Sequence, residues 1–254
     1  MEIDDYVILS PSYKRSSSCF TQKYIKKCLY VVMESEAEEY LKNGHKIMVC
    51  PDSAQGNVSR IRNWILENSP KKNLVILDDD IKSFGRFNGN KPKKMNEEEF
   101  YEFLESAFIL VEESGAKFWG VNCIGDKGSY REYTPFSLSN FIGGPFQGHI
   151  LDHDLRYDES LPLKEDYDMV LQQLNKYRKV FRFNFIHYFA KMHENIGGCA
   201  SYRTLDREKQ QMKALRRKWG GDIIKVDSGS SKVNRKSENL YDINPIMRAP
   251  IKGI

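Results

Sequence analysis

The sequence has no Cys-x-x-Cys pair, and its five cysteines (Cys19, Cys28, Cys50, Cys123 and Cys199) are odd in number and widely spaced. A disulfide framework or a structural zinc site needs close, paired spacing, so the thiols read as small core residues in a reducing compartment. No apolar run approaches the roughly 18 residues that span a bilayer. The opening residues include Glu2, Asp4 and Asp5, with only the short apolar stretch at 6–9. A signal peptide needs a basic start and a longer apolar region, so a cytosolic protein without a membrane segment is expected. Internal repeats and biased composition are absent too. With 40% hydrophobic, 12% aromatic and 29% charged residues, collagen-like and wholly disordered classes are excluded. The 254 residues are long for one domain, short for two, and ample for a buried core.

The net charge of +4 conceals an asymmetry. From Ala200 onward there are 13 Lys and Arg against 6 Asp and Glu, a balance of +7, while the preceding residues carry −3. Basic charge gathered at one end suits either a polyanion partner or a solvated tail.

The first 80 residues alternate strand and helix signals. Short apolar runs at 5–12, 29–35, 45–52 and 73–81 read as strands, and helices are expected at 18–27, 36–44 and 56–70. Strands separated by single helices imply parallel pairing, with both faces of the sheet buried. The polar, Gly- and Pro-containing stretch FGRFNGNKPKKM (84–95) reads as an exposed loop. A helix at 96–115 has Asn96 as N-cap, three glutamates in its first turn and Gly115 at its end. A strand follows at 117–123, then two short strands around a glycine turn at 137–152. A helix beginning with acids is expected at 164–179, an aromatic strand or hairpin at 180–193, and a basic helix at 206–221. Residues 226–239 have the composition of a linker.

The strongest chemical signal is Asp78, Asp79 and Asp80 directly after the apolar LVIL run. Three adjacent carboxylates repel one another unless a cation offsets them, and hard divalent ions take oxygen ligands. At the carboxyl end of a parallel strand such acids face the crevice where α/β sheets bind ligands. The LVIL run is expected to point them toward a sheet edge; a solvated strand end is the alternative. Upstream, GNVSRIRNWI (56–65) places Arg60, Arg62 and Asn63 on a helix, where Arg can hold phosphate or carboxylate bidentately. Downstream, Glu165 and Asp166 open a helix, serving either as caps or as a general base in a cleft.

The order SPSYKR, GNVSRIRNWI, ILDDDI, Gly143–Gly144 and KED resembles glycosyltransferases of the GT-A fold. More narrowly, SPSYKRS, MESEAEEY and DDDI resemble the TET-associated glycosyltransferases, phage and bacterial proteins inferred to glycosylate hydroxymethylated pyrimidines in DNA. The likeness covers roughly residues 5–200. It implies an α/β fold with a mostly parallel central sheet flanked by helices over residues 1–205, and a basic helical appendage over 206–254.

It also implies roles. Pro11, Ser12, Arg15 and Glu34 would lie by the base and ribose of a UDP-sugar, and Arg62 and Asn63 would approach the nucleotide-sugar. Asp78 and Asp79 would stand on the nucleotide side. Asp80, with Asp78 and His193, would hold Mn²⁺ or Mg²⁺; His187 is the rival to His193, though its strand context favours a packed histidine. Asp166, or its neighbour Glu165, would take the acceptor proton, which predicts inversion at the anomeric carbon. Residues 194–203, with Tyr202 and Arg203, could close on a diphosphate or form a simple turn.

The resemblance points to the hydroxymethyl group of 5-hydroxymethylcytosine in double-stranded DNA as acceptor. The basic residues of 206–221 and Lys225, Lys232, Arg235 and Lys236 would then meet phosphates. A polysaccharide, lipid or protein acceptor, or a non-catalytic nucleic-acid-binding protein, are the alternatives. The sugar and the oligomeric state stay open.

Overall fold

The structure, a computed structural model, describes residues 5–89, 91–126, 128–190, 198–226 and 244–249. The chain runs β1 (Tyr6–Pro11), α1 (Thr21–Tyr24), β2 (Leu29–Met33), α2 (Glu34–Lys42), β3 (Ile47–Cys50), α3 (Val58–Asn68) and β4 (Asn73–Leu77). It continues through β5 (Ile81–Asn88), β6 (Lys91–Lys94), α4 (Glu97–Ser114), β7 (Phe118–Asn122), β8 (Phe136–Ser137) and β9 (Phe146–Ile150). The last elements are α5 (Glu165–Tyr177), β10 (Phe181–Ala190), α6 (Leu205–Trp219), β11 (Ile224–Val226) and β12 (Pro245–Met247).

One sheet organises the molecule, in the order β3-β2-β1-β4-β9-β7-β10-β5-β6, with β8 alongside β10. The expected parallel pairing holds from β3 through β4. Beyond β4 the sheet is mixed: β9 is antiparallel to β4 and β7, whereas β7 and β10 are parallel. The α/β sheet flanked by helices is therefore present as expected. Side chains of β4 go alternately to two cores. Val75 and Leu77 join α4, Trp119 and Phe183 on one face. Leu74 and Ile76 join α3 and α5 on the other, through Ile61, Ile65, Met169 and Leu174. This double burial explains a strand with no polar alternation.

Three local expectations change. The stretch 84–95 is not a loop, since β5 and β6 pair antiparallel across it. Its lysines and proline suit β6, which lies at the sheet edge, where such residues deter further pairing. The helix expected at 18–27 shrinks to α1, because Phe20 and Thr21 donate their amides to the Asp79 carbonyl. And β4 lies in the interior of the sheet, so the aspartates leave a central strand, not an edge.

Helix α4 forms as read, with a reciprocal Asn96–Glu99 capping box and Gly115 in the left-handed region at φ 72°. All five cysteines are free. Helix α6 packs Met212 and Leu215 against Leu161 and Leu171. No helix among the described residues is long and apolar enough to cross a membrane.

Candidate active site

The chain leaves β4 at Leu77 and re-enters the sheet at Ile81, and the three aspartates between them go different ways. Asp79 is 3% exposed and turns inward. Its Oδ1 accepts from Arg15 Nη1 at 2.7 Å and its Oδ2 from Ser12 Oγ at 2.5 Å. Because the Ser12 proton goes to Asp79, the Tyr40 hydroxyl, 2.8 Å away, donates to Ser12. That hydroxyl in turn accepts the Arg15 amide. The turn is fixed from below as well: Thr21 Oγ1 donates to the Asp78 carbonyl and accepts the Ile81 amide.

Asp80 is 8% exposed, with Arg15 Nη1 at 3.8 Å. Burial pushes its carboxyl up to about 7, and the charges of Asp78 and Asp79 push the same way. Asp78 is the open member, its side chain 35% exposed and paired with Arg62 Nη2 at 3.2 Å.

Arg62 reaches that position because of helix phase. In α3, capped by Asn57, it shares the core face with Ile65 and Leu66, three and four residues on. Arg60, two residues earlier, points outward to Glu159. Fully buried Arg62 also contacts Glu165 Oε1 through Nη1 at 2.8 Å and donates to the Gly144 carbonyl at 3.0 Å. A Cβ at position 144 would sit 3.2 Å from Arg62 Nη2, so the glycine makes room for the guanidinium. The Gly144 amide donates to Asp166 Oδ2 at 3.3 Å, and the Tyr167 amide to Oδ1 at 2.8 Å. Burial raises both acids, Glu165 to about 8 with the Asp166 charge adding.

Four carboxylates thus share two guanidiniums, those of Arg15 and Arg62, while a fifth, Asp166, is held by backbone amides. Excess negative charge with hard oxygen donors suits a divalent cation, and Asp78 and Asp80 are the donors not committed to Arg15 at close range. Among the described residues no three His, Cys, Asp or Glu side chains are grouped to hold a metal alone. Two carboxylates completed by phosphate oxygens and water is the manner in which Mg²⁺ is commonly bound.

The sequence of the TET-associated glycosyltransferases matches residues 6–198. The chain belongs to this family. No curated protein matches the sequence. Among solved structures, the mannosyltransferase PcManGT from Pyrobaculum calidifontis, in complex with GDP-Man and Mn²⁺, is 11% identical with a TM-score of 0.53, over 84% of this chain and 64% of that one. S. aureus TarS 1–349 in complex with UDP is 14% identical with a TM-score of 0.46, over 91% and 75%. Glucosyl-3-phosphoglycerate synthase from Mycobacterium tuberculosis with Mg²⁺ and UDP is 9% identical with a TM-score of 0.47, over 88% and 81%. The protein is a glycosyltransferase with the GT-A fold.

In this glycosyltransferase the fold gathers Ser12, Arg15, Asp78, Asp79, Asp80, Arg62, Glu165 and Asp166 around one turn, with Pro11 ending β1 just before Ser12. It does not bring in Asn63, whose amide is bonded at both ends to the Tyr157 backbone. Glu34 stands exposed at the start of α2, not at the end of β2, and has no hydrogen bond to the aspartate turn. His187 is a packed histidine: it is fully buried, its ring nitrogens lack partners among the described residues, and a Cβ on Gly85 would lie 2.3 Å from the ring. His193 lies outside the described residues, as do Lys232, Arg235 and Lys236. Tyr202 donates to Cys199 Sγ and accepts the Val58 amide at the start of α3.

Sequence reasoning missed Tyr40 and Thr21. Tyr40 is the single buried residue of α2, which helix periodicity could have flagged. Thr21 carries no signal, since its role depends on a turn 57 residues away.

Proposed function

We propose that this glycosyltransferase moves a sugar from a UDP-sugar to the hydroxymethyl oxygen of 5-hydroxymethylcytosine in DNA, with Mn²⁺ or Mg²⁺ as cofactor. The observation that carries the reading is the junction at Gly144, whose carbonyl holds Arg62 beside Asp78 and whose amide holds Asp166. It joins a donor-side acidic turn to a candidate acceptor-side base. The GT-A relative holding GDP-Man and Mn²⁺ supports a nucleotide-sugar donor with a metal.

The chemistry then divides among the residues. Asp166 takes the hydroxymethyl proton; its raised pKa makes it a stronger base near neutral pH than an ordinary aspartate. The acceptor oxygen bonds to the anomeric carbon as the bond to the β-phosphate oxygen breaks, its electron pair leaving on UDP. Attack opposite the leaving group gives inversion. Asp78 and Asp80 would hold the divalent ion, which would supply positive charge to stabilise the departing diphosphate. Glu165 positions Arg62, and Ser12, Arg15 and Asp79 set the shape of the donor side.

For the acceptor, Lys209, Lys213, Arg216 and Arg217 form an exposed stripe on α6 at helical spacing, with no close ion pair among the described residues. Lys218, by contrast, is engaged by Asp158 and Asp168. The boundary at 205/206 would then separate donor chemistry from acceptor binding. A DNA acceptor places the work in the cytoplasm, the host's if a phage encodes the chain.

The test incubates wild type and Asp80→Ala with Mn²⁺, several UDP-sugars, and DNA with or without 5-hydroxymethylcytosine. Transfer by wild type to the hydroxymethylated DNA alone is expected. UDP release with no DNA product moves the acceptor to a polysaccharide, lipid or protein. Absence of metal-dependent UDP binding leaves a non-catalytic nucleic-acid binder.

A further inference from the structure

A polar hollow of about 410 Å³ lies between the 128–140 segment and the start of β10. Arg131 and Arg182 both line it, and no carboxylate among the described residues does. Arg182 is half-buried and held in place, donating from Nε to Asn184 Oδ1 at 2.7 Å and from Nη1 to the Phe141 carbonyl at 3.1 Å. Its remaining nitrogen, Nη2, has no protein partner among the described residues. Arg131 bonds only the carbonyls of Gly128 and Tyr130, and it too lacks an acidic partner there. Burial lowers the Arg182 pKa from its ordinary value, with only the Cys123 thiol opposing, so the charge lacks a counterion. Ser137 Oγ accepts the Asn140 amide, leaving its own proton to donate into the hollow.

Two oriented, uncompensated guanidiniums with a hydroxyl beside them form a receptor for an anionic, multi-oxygen group. The position narrows the choice. Phe141, whose carbonyl anchors Arg182, stacks at 4.0 Å on Tyr167, the residue after Asp166. The same segment continues to Gly144, which holds Asp166. The 141–144 segment therefore links the hollow, through Arg182 and Phe141, to the proposed base and the acidic turn. Tyr133, 82% exposed, and Phe136, 42% exposed, add aromatic surface against which a base could stack.

We infer that this hollow seats a backbone phosphodiester of the DNA acceptor, gripped by Arg131 and Arg182, next to the nucleotide that receives the sugar. The inference rests on the DNA-acceptor reading and deepens it by placing the strand on the 128–140 side of Asp166.

The test measures binding of a duplex containing 5-hydroxymethylcytosine over a salt series, for wild type, Arg131→Gln, Arg182→Gln and Arg182→Lys, with UDP affinity measured in parallel. Each Gln variant should lose on the order of tenfold in duplex affinity. Each should also flatten the log–log salt slope, by no more than about 0.9, the share of one phosphate, while Arg182→Lys keeps the slope. Arg131 is exposed and bonds only adjacent backbone, so its variant decides the matter if Arg182→Gln does not fold. Duplex affinity and slope unchanged in the variants overturn this site and leave the acceptor reading standing. Loss of UDP affinity in step assigns the hollow to the donor and overturns the site. A wild type that binds UDP but no duplex removes the site and the acceptor reading together.

Discussion

Arg15 and Arg62 approach the same aspartate turn from opposite sides, and their surroundings are built differently. Around Arg15, both oxygens of Asp79 are satisfied at short range, and Tyr40 and Ser12 complete a closed relay. Around Arg62, one guanidinium is divided between Asp78 and Glu165, its Nε has no partner among the described residues, and Asp78 remains partly open. The closed cluster is what a structural tie looks like, and the open one is what an exchangeable site looks like. The middle aspartate of the run is consumed by the fold, and on the proposed reading the two outer ones, spaced as D-x-D, hold the metal.

Removing Arg62 should break this contrast most severely. Arg62→Met leaves Glu165 and Asp78 without their buried counter-charge and is expected to cost about 3–5 kcal/mol in urea unfolding. Adding Glu165→Gln should recover part of that loss; a single variant as stable as wild type would mean the pair is not buried as described. Next comes Asp166→Asn, which on the proposed reading lowers kcat by about 10²–10⁴-fold with little change in melting temperature. Full activity in that variant reassigns the base.

Ser12→Ala probes the closed side. Losing one donor to a buried carboxylate should cost about 1–3 kcal/mol, with the Mn²⁺ concentration for half-activation unmoved. A large shift in metal dependence would show that the two sides are not separable.

A pH slope tests both sides together. The folded protein holds protons on Asp80 up to about 7 and on Glu165 up to about 8, above the ordinary carboxylate range. From the ordinary range up to those values the unfolded chain has fewer protons bound, so metal-free stability should fall as pH rises. Saturating Mn²⁺ should flatten the Asp80 share of that slope, as thermal melts at pH 5 to 8 would reveal; a flat metal-free profile would contradict the buried, raised acids.

Much of the fold was legible because the signals were local. The LVIL run, the Asn96–Glu99 box and Gly115 each act within a few residues, and each forms as read. The loop expectation at 84–95 failed for a non-local reason: polar composition at an edge strand is also what keeps a sheet from growing. Asn63 was misplaced because an amide suited to a nucleotide is equally suited to pinning a passing backbone, here that of Tyr157.

The sequence by itself determined the alternation of strand and helix, the acidic end of β4 and the helix that carries Arg62, because backbone periodicity and caps are set by neighbours in the chain. Tertiary structure alone decided which aspartate turns inward, and that Gly144 and Glu165, 82 and 103 residues from Arg62, meet its guanidinium. A carboxylate's partner is chosen by how distant elements pack, and the stretch of sequence that contains it carries no record of that choice.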